Sequence, residues 1–133
     1  MISKAIKYNK AVGPLAHVYL EDSYVLDIIT TSADVSFIME FVLCEGHEFY
    51  QSPKRDEQHC YLKGVLKFSS CSSIQDDRSN SHRSIDANYE EDMGNIDSFI
   101  VSEGACYLAG DWGRISVKCE DVSVNFHDVE SDL

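Results

Sequence analysis

The chain has 133 residues, of which 44% are hydrophobic, so it can form one domain around one apolar core and is too short for two. Its 23 acidic and 11 basic residues give a formal net charge of −12, which argues against nucleic acid and anionic membranes as partners because both attract Lys and Arg. No apolar run approaches the length of a bilayer span, and the N-terminal residues lack the apolar stretch of a secretory signal peptide.

The cysteines indicate a reducing compartment. Five of them, at positions 44, 60, 71, 106 and 119, cannot all pair within one chain. Their spacing contains no Cys-x-x-Cys motif, so the sequence predicts neither a metal site nor a cofactor. We therefore expect a cytoplasmic protein with reduced thiols.

Alternation of apolar and polar residues is the recurring signal along the chain, and it predicts strands rather than helices. Residues 1–14 are predicted to form an edge strand or a flexible arm. Residues 24–31 are rich in Val, Ile and Tyr, and residues 35–44 alternate between two apolar faces. A Ser-Ala-Asp turn separates these two segments, which predicts an antiparallel hairpin.

The middle of the chain gives weaker signals. Residues 59–70 alternate again and predict a half-solvated strand. Residues 69–80 are mainly Ser, Asp, Gln and Asn, a composition that favours a loop. Residues 84–93 fit both helical spacing and alternation, and we favour a strand or an extended loop there.

The C-terminal third predicts further short strands, at residues 95–102, 105–109, 112–120 and 122–126, with a turn at Glu103-Gly104. An acidic tail, 128–133, is expected to fray. Together the segments predict a single all-β domain, 1–133, with about seven antiparallel strands arranged as a β-sandwich or an open barrel and little or no helix.

Two features could bind a partner. The acidic run Tyr89, Glu90, Glu91 and Asp92 lacks the spacing of a calcium loop, so it forms either a solvated face or a surface that recognises a basic protein. Asp111 and the only tryptophan, Trp112, lie between two glycines in what reads as a tight turn. Trp112 would either pack in the core or anchor a partner, since buried aromatic rings serve both purposes.

Histidines offer a possible pocket. His47 lies between two glutamates, and His59 precedes Cys60 and Tyr61. No spacing typical of a catalytic nucleophile or a metalloprotease accompanies them, so we predict no catalytic residues. A pocket that includes Tyr61, Trp112 and His59 or His47 could nevertheless assemble in space.

These observations favour a non-enzymatic acidic domain that docks or neutralises a basic protein, by the logic with which an immunity protein blocks a basic toxin. One alternative is a small β-barrel enzyme or ligand-binding protein that uses the histidine pocket. Another is a structural subunit that adds an edge strand to a larger assembly.

Overall fold

The fold consists almost entirely of β-strands. The computed structural model describes residues 6–53, 55–56, 58–78, 84–85 and 91–126. The helical part is one turn, α1 (Tyr8–Ala11), and the 3₁₀ turns Gly13–Leu15 and Leu20–Asp22. The strands are β1 (Ile6–Lys7), β2 (Tyr24–Thr30), β3 (Val35–Leu43), β4 (Cys60–Asp77), β5 (Ser84–Ile85), β6 (Glu91–Asp92), β7 (Ser98–Ser102), β8 (Ala105–Gly110) and β9 (Gly113–Phe126).

Seven of these strands form one antiparallel sheet in the order β1-β7-β8-β9-β4-β3-β2, and β5 pairs with β6 apart from it. The predicted all-β, antiparallel class is confirmed. The sheet joins two meanders, β2-β3-β4 and β7-β8-β9, along the pairing of β4 with β9. Both long strands therefore lie at the centre of the sheet, where each has a hydrogen-bonded neighbour on either side.

The first hairpin forms where alternation predicts it. In β3, Phe37, Met39 and Phe41 are fully buried because successive side chains of a strand point to opposite faces and these three share the core face. Their partners on β4 include Leu66, which lies opposite Phe37. The ring of Phe37 also meets the ring of Phe68 edge-on, with centroids 6.0 Å apart. Packing of these side chains in the core therefore favours this register of β3 against β4.

The loop prediction for residues 69–80 is wrong up to Asp77, because β4 continues through the polar segment. The pairing with β9 explains this extension, because Ile74 lies opposite Val117 and Asp77 lies opposite Arg114. The strand is irregular between Cys71 and Ser73, where one extra residue forms a β-bulge. The predicted strands 112–120 and 122–126 likewise merge into the single strand β9.

The turn between β7 and β8 is confirmed at Glu103-Gly104, where both residues take positive φ values, 52° and 79°. Two such residues are what a two-residue hairpin with right-handed strand twist requires. Before β7, the backbone of Met93 and Gly94 pairs with Val25 of β2 through N···O contacts of 2.7 and 2.8 Å. This segment therefore covers part of the β2 edge of the sheet.

The N-terminal arm packs on the core. Residues 6–7 form an edge strand on β7, as one of the two alternatives for 1–14 predicts, and α1 follows directly. The buried hydroxyl of Tyr8 donates a 2.6 Å hydrogen bond to the Glu21 carboxylate and accepts one of 2.9 Å from the Leu20 backbone N–H. Lys7 lies 3.2 Å from the same carboxylate. The predicted acidic tail, 128–133, lies outside the described residues.

Replacing Tyr8 with Phe is expected to lower the free energy of unfolding at neutral pH by about 1–3 kcal/mol, because the Leu20 N–H and the Glu21 carboxylate lose a buried partner. Burial, and then the hydrogen bond to Glu21, raise the pKa of Tyr8 far above its usual value. Its hydroxyl thus contributes stability that is complete below pH 10 and is lost as the pH rises further.

Urea unfolding at pH 7, 9 and above 10 checks both parts of this prediction. The gap between wild type and Tyr8→Phe should narrow above about pH 10, since only the wild type carries this tyrosine. Tyr107→Phe is the matched control because Tyr107 is 46% exposed. A gap that stays constant across this pH range would contradict the assigned role of the hydroxyl.

Candidate functional site

Carboxylates gather where the β8–β9 turn meets the segment before β7. Asp111 lies in that turn, and its Oδ2 atom is 3.3 Å from the position of a Cβ added to Gly94. Asp97 lies three residues after Gly94 in the sequence, and β6 (Glu91–Asp92) ends two residues before Gly94. We refer to Asp97 and Asp111 as the acidic corner. Asp97 and Asp111 are both exposed.

The acidic corner concentrates negative charge. Partial burial, and then the nearby charge of Asp111, raise the pKa of Asp97 above its usual value. Within the described part of the chain, ion pairs join Lys7 to Glu21, His59 to Asp22 and Arg78 to Asp76, and neither Asp97 nor Asp111 belongs to these three. Carboxylates that repel one another at an exposed position favour the approach of a cation.

Of the predicted partner-binding residues, Asp111 belongs to the acidic corner, and Glu91 and Asp92 form the backbone of β6, two residues before Gly94. Tyr89 and Glu90 lie outside the described residues. The sequence did not single out Asp97, because its pairing with Asp111 depends on the hydrogen bond from its backbone N–H to the Ala109 carbonyl, at 2.9 Å. That hydrogen bond is a long-range contact with no local sequence signal.

Trp112 lies in the core and not on the surface. Its side chain has no exposed area, and its ring meets the ring of Phe37 edge-on at 5.4 Å. The indole N–H donates a 3.0 Å hydrogen bond to the Asn95 carbonyl. The core-packing alternative for Trp112 therefore holds, and the partner-anchor alternative does not, because the ring leaves no area for a partner to touch.

A cavity of about 260 Å³ lies between the end of β3 and the chain that leads into β4. We name it the His59 cavity. Its wall includes the rings of Tyr19, Tyr50 and His59 together with Glu45 and Cys60. The Nε2 atom of His59 lies 3.4 Å from the Oδ2 atom of Asp22. These side chains could donate and accept hydrogen bonds with a small polar molecule.

The predicted histidine pocket is not assembled as expected. Tyr61 does not line the His59 cavity, although its ring meets the His59 ring edge-on with centroids 5.9 Å apart and stacks on Tyr24 at 6.2 Å. Burial, and then Tyr24, raise the pKa of Tyr61 to about 12. His47 packs edge-on against Phe126 at 5.0 Å, and burial lowers its pKa. Only His59 of the predicted set lines this cavity.

Three of the five cysteines converge, which the sequence did not predict. Cys71 of β4 lies directly opposite Cys119 of β9. The side chain of Cys119 lies close enough to those of Cys71 and Cys106 for the thiols to influence one another's pKa. Cys106 and Cys119 also line a second cavity of about 260 Å³, closed on its far side by residues 11–14. We name this group the thiol cluster.

Among the described residues, no group of three or more His, Cys, Asp and Glu side chains has an arrangement that could hold a metal ion. In the same part of the chain, no helix has the length and apolar character needed to cross a membrane. Comparison with protein-family models, curated proteins and solved structures finds no significant match to this chain.

Proposed function

We propose that this protein is a non-enzymatic acidic binding domain that docks a basic protein partner through the acidic corner. The observation that carries the proposal is the hydrogen bond from the Asp97 backbone N–H to the Ala109 carbonyl, which places Asp97 beside the turn that holds Asp111. Partial burial, and then the charge of Asp111, raise the pKa of Asp97. A Lys or Arg side chain from a partner would relieve this repulsion and form charge-assisted hydrogen bonds with either carboxylate. The net charge of −12 would accelerate the encounter over a longer distance.

The rigidity of the acidic corner supports this role. Asp111 occupies a two-residue turn between paired strands, since Gly110 lies opposite Gly113. The chain before Asp97 is tied to the rest of the fold by Asn95, whose side-chain amide donates a 2.6 Å hydrogen bond to the Ser23 carbonyl. Carboxylates on such a fixed backbone lose little conformational entropy when a partner binds, which favours affinity.

The same electrostatic attraction would support an immunity-type role. A protein that binds nucleic acid needs a basic surface, and an acidic domain that covers this surface competes directly with the nucleic acid. The partner would therefore be a basic protein that acts in the cytoplasm. Nucleic acid and membranes, which carry the same sign of charge as this chain, would not be partners.

Neutralising the acidic corner should weaken binding of a short Arg-rich peptide by about tenfold or more, since two close charge contacts are lost. The variant is Asp97→Asn with Asp111→Asn, and the measurement is calorimetric titration at about 0.05 M and about 0.5 M NaCl. The wild type should also lose affinity at the higher salt concentration.

The matched control is Asp56→Asn with Glu103→Gln, which removes two negative charges at exposed positions outside the acidic corner. It should change the affinity by less than about threefold, because distant surface charges are largely screened. Equal losses in the two double variants would show that binding follows net charge and would overturn the acidic corner as the docking site. No measurable binding at low salt would overturn the proposed function itself.

A further inference from the structure

In the thiol cluster, Cys119 has two neighbours with which it could form a disulfide, Cys71 and Cys106. Cys71 is its direct neighbour across the β4–β9 ladder, next to the β-bulge between Cys71 and Ser73. Cys106 lies opposite Val117, two residues before Cys119 on the same strand, so it approaches Cys119 diagonally from β8. The side chain of Cys119 is near both of them, since each thiol influences its pKa. All three cysteines are free thiols in this structure.

The geometry of the ladder suits a disulfide. Residues directly opposite each other in an antiparallel pair have Cα atoms about 4.5 or 5.5 Å apart, and disulfides span Cα distances of about 4.4–6.8 Å. Cys71 and Cys119 hold such opposite positions in the β4–β9 ladder. A bond between them therefore requires little movement of the backbone. The contact of Cys106 with Cys119 offers a second route to a disulfide.

We propose that Cys71, Cys106 and Cys119 form a thiol–disulfide exchange site that reacts with low-molecular-weight disulfides such as glutathione disulfide, with Cys119 as the shared member of either protein disulfide. Because one sulfur can belong to only one disulfide, the pairs Cys71–Cys119 and Cys106–Cys119 exclude each other. The third thiol remains free to attack and exchange one pair for the other. This site is separate from the acidic corner and does not depend on the proposed function.

The exchange balances with no other reactant. A protein thiolate attacks one sulfur of glutathione disulfide, forms a mixed disulfide and releases one glutathione thiolate. A neighbouring protein thiolate then attacks the protein sulfur of the mixed disulfide, forms the protein disulfide and releases the second glutathione thiolate. Two protein thiols are oxidised, one glutathione disulfide is reduced, and the two glutathione thiolates take up the two protons.

Access and acidity set the speed of this reaction. Cys71 and Cys119 are half-buried, and the cavity beside Cys119 gives a second approach. Burial raises the pKa of all three thiols, with that of Cys71 at about 11. Asp34 adds to the shift at Cys71, whereas the Asp121 backbone opposes it at Cys119. The thiols are therefore protonated at neutral pH, and the reaction should be slow there and rise about tenfold per pH unit between pH 7 and 9.

Peptide mapping tests the pairing directly, because trypsin leaves each cysteine on its own peptide. These peptides are 11–54, 56–63, 68–78, 84–114 and 119–133. The reduced, folded protein is incubated with glutathione disulfide at about pH 8, where some thiolate forms, and is then alkylated, digested without reductant and analysed by mass spectrometry. The expected linked peptides are 68–78 with 119–133 and 84–114 with 119–133, never both in one molecule.

Cys119→Ser should reduce intramolecular disulfide formation about 100-fold or more, since the contact that supplies the effective concentration is lost. Glutathione should then remain attached as a mixed disulfide. Cys106→Ser should keep the Cys71–Cys119 pair, and Cys44→Ser is the matched control that should leave the linked peptides unchanged. If Cys119→Ser fails to fold, as judged by circular dichroism, the double variant Cys71→Ser with Cys106→Ser removes both neighbours and should give the same loss.

Two outcomes would overturn the proposal. One is a Cys71–Cys106 disulfide that forms in Cys119→Ser at the wild-type rate. The other is a folded wild-type protein whose linked peptides come only from Cys44 and Cys60. A rate that levels off below pH 9 would separately contradict the assigned burial of the attacking thiols, because an ordinary cysteine has a pKa of about 8.5.

Discussion

Replacing Trp112 with Ala is expected to lower the free energy of unfolding by about 3–5 kcal/mol, the usual cost of removing a large aromatic ring from a core. The ring has no exposed area, so the whole side chain would leave a cavity. It also packs on Phe37 and donates a hydrogen bond to the Asn95 carbonyl. Urea unfolding followed by far-ultraviolet circular dichroism measures the loss without relying on tryptophan fluorescence.

Two variants separate the causes of this loss. Trp112→Phe keeps an aromatic ring but removes the N–H, and it should cost about 1–3 kcal/mol because the Asn95 carbonyl loses its partner and the smaller ring leaves a gap. Tyr107→Ala removes an aromatic ring that is 46% exposed and should cost less than about 1 kcal/mol. If Trp112→Ala unfolds at the same urea concentration as wild type, the central place of this ring in the core is wrong.

Trp112 also connects the core to the acidic corner. The Asn95 carbonyl that it binds belongs to the segment that leads to Asp97, and Asp111 is its direct neighbour in the β8–β9 turn. The position of both carboxylates therefore rests on one buried ring. An acidic surface built on a flexible loop would lose more entropy on binding a partner than this arrangement does.

Alternation in the sequence predicts those strands whose burial follows a local pattern. The segments 24–31 and 35–44 match β2 and β3 closely: alternate residues of β3 face the core, and a β-bulge between Val25 and Asp27 interrupts the alternation in β2. The turn at Glu103-Gly104 is equally local, since it depends on two residues that tolerate positive φ. In these places, the neighbouring residues contain the information that determines the structure.

The second half of β4 has no such local signal. Ser, Gln and Asp at 73–77 favour a loop by composition, yet these residues pair with β9 because their backbone groups find partners there. Only Ile74 reaches the core, opposite Val117. The pairing is determined by β9, about 40 residues further along the chain. A reading of neighbouring residues cannot find a strand whose cause lies so far away in the sequence.

The candidate sites were also difficult to predict, because they bring together residues that are far apart in the sequence. Cys71 and Cys119 meet because of the β4–β9 register, and a shift by one residue would turn one of them to the other face. The predicted histidine pocket forms only in part: His59 and Tyr61 contact each other, but Tyr61 does not line the His59 cavity and His47 packs against Phe126. The acidic run at 89–92 was visible as composition, but Asp97 required the fold.

Gly113→Ala is expected to lower the free energy of unfolding by about 2–5 kcal/mol, because it combines a strained backbone with a steric clash. Gly113 has a φ of +120°, in the region that favours glycine. An added Cβ would lie 2.6 Å from the Asp77 carbonyl oxygen and 2.8 Å from Cα of Arg78. Both neighbours are backbone atoms at the end of β4, so neither can move without disturbing the pairing with β9.

Three other glycines separate the two contributions. Gly104→Ala adds only the strain of a positive φ, +79°, with no atom within 4 Å of the new Cβ, and should cost about 1–2 kcal/mol. Gly110→Ala adds only a clash, at 2.4 Å from both the Asn95 carbonyl and the Trp112 ring, and should cost about 1–3 kcal/mol. Gly13→Ala meets neither obstacle and should stay within about 1 kcal/mol of wild type. If urea unfolding ranks Gly113→Ala no lower in stability than Gly104→Ala, the close approach of β9 to the end of β4 is wrong, since Gly113 has both that contact and a φ, +120°, further from the range of L residues than the +79° of Gly104.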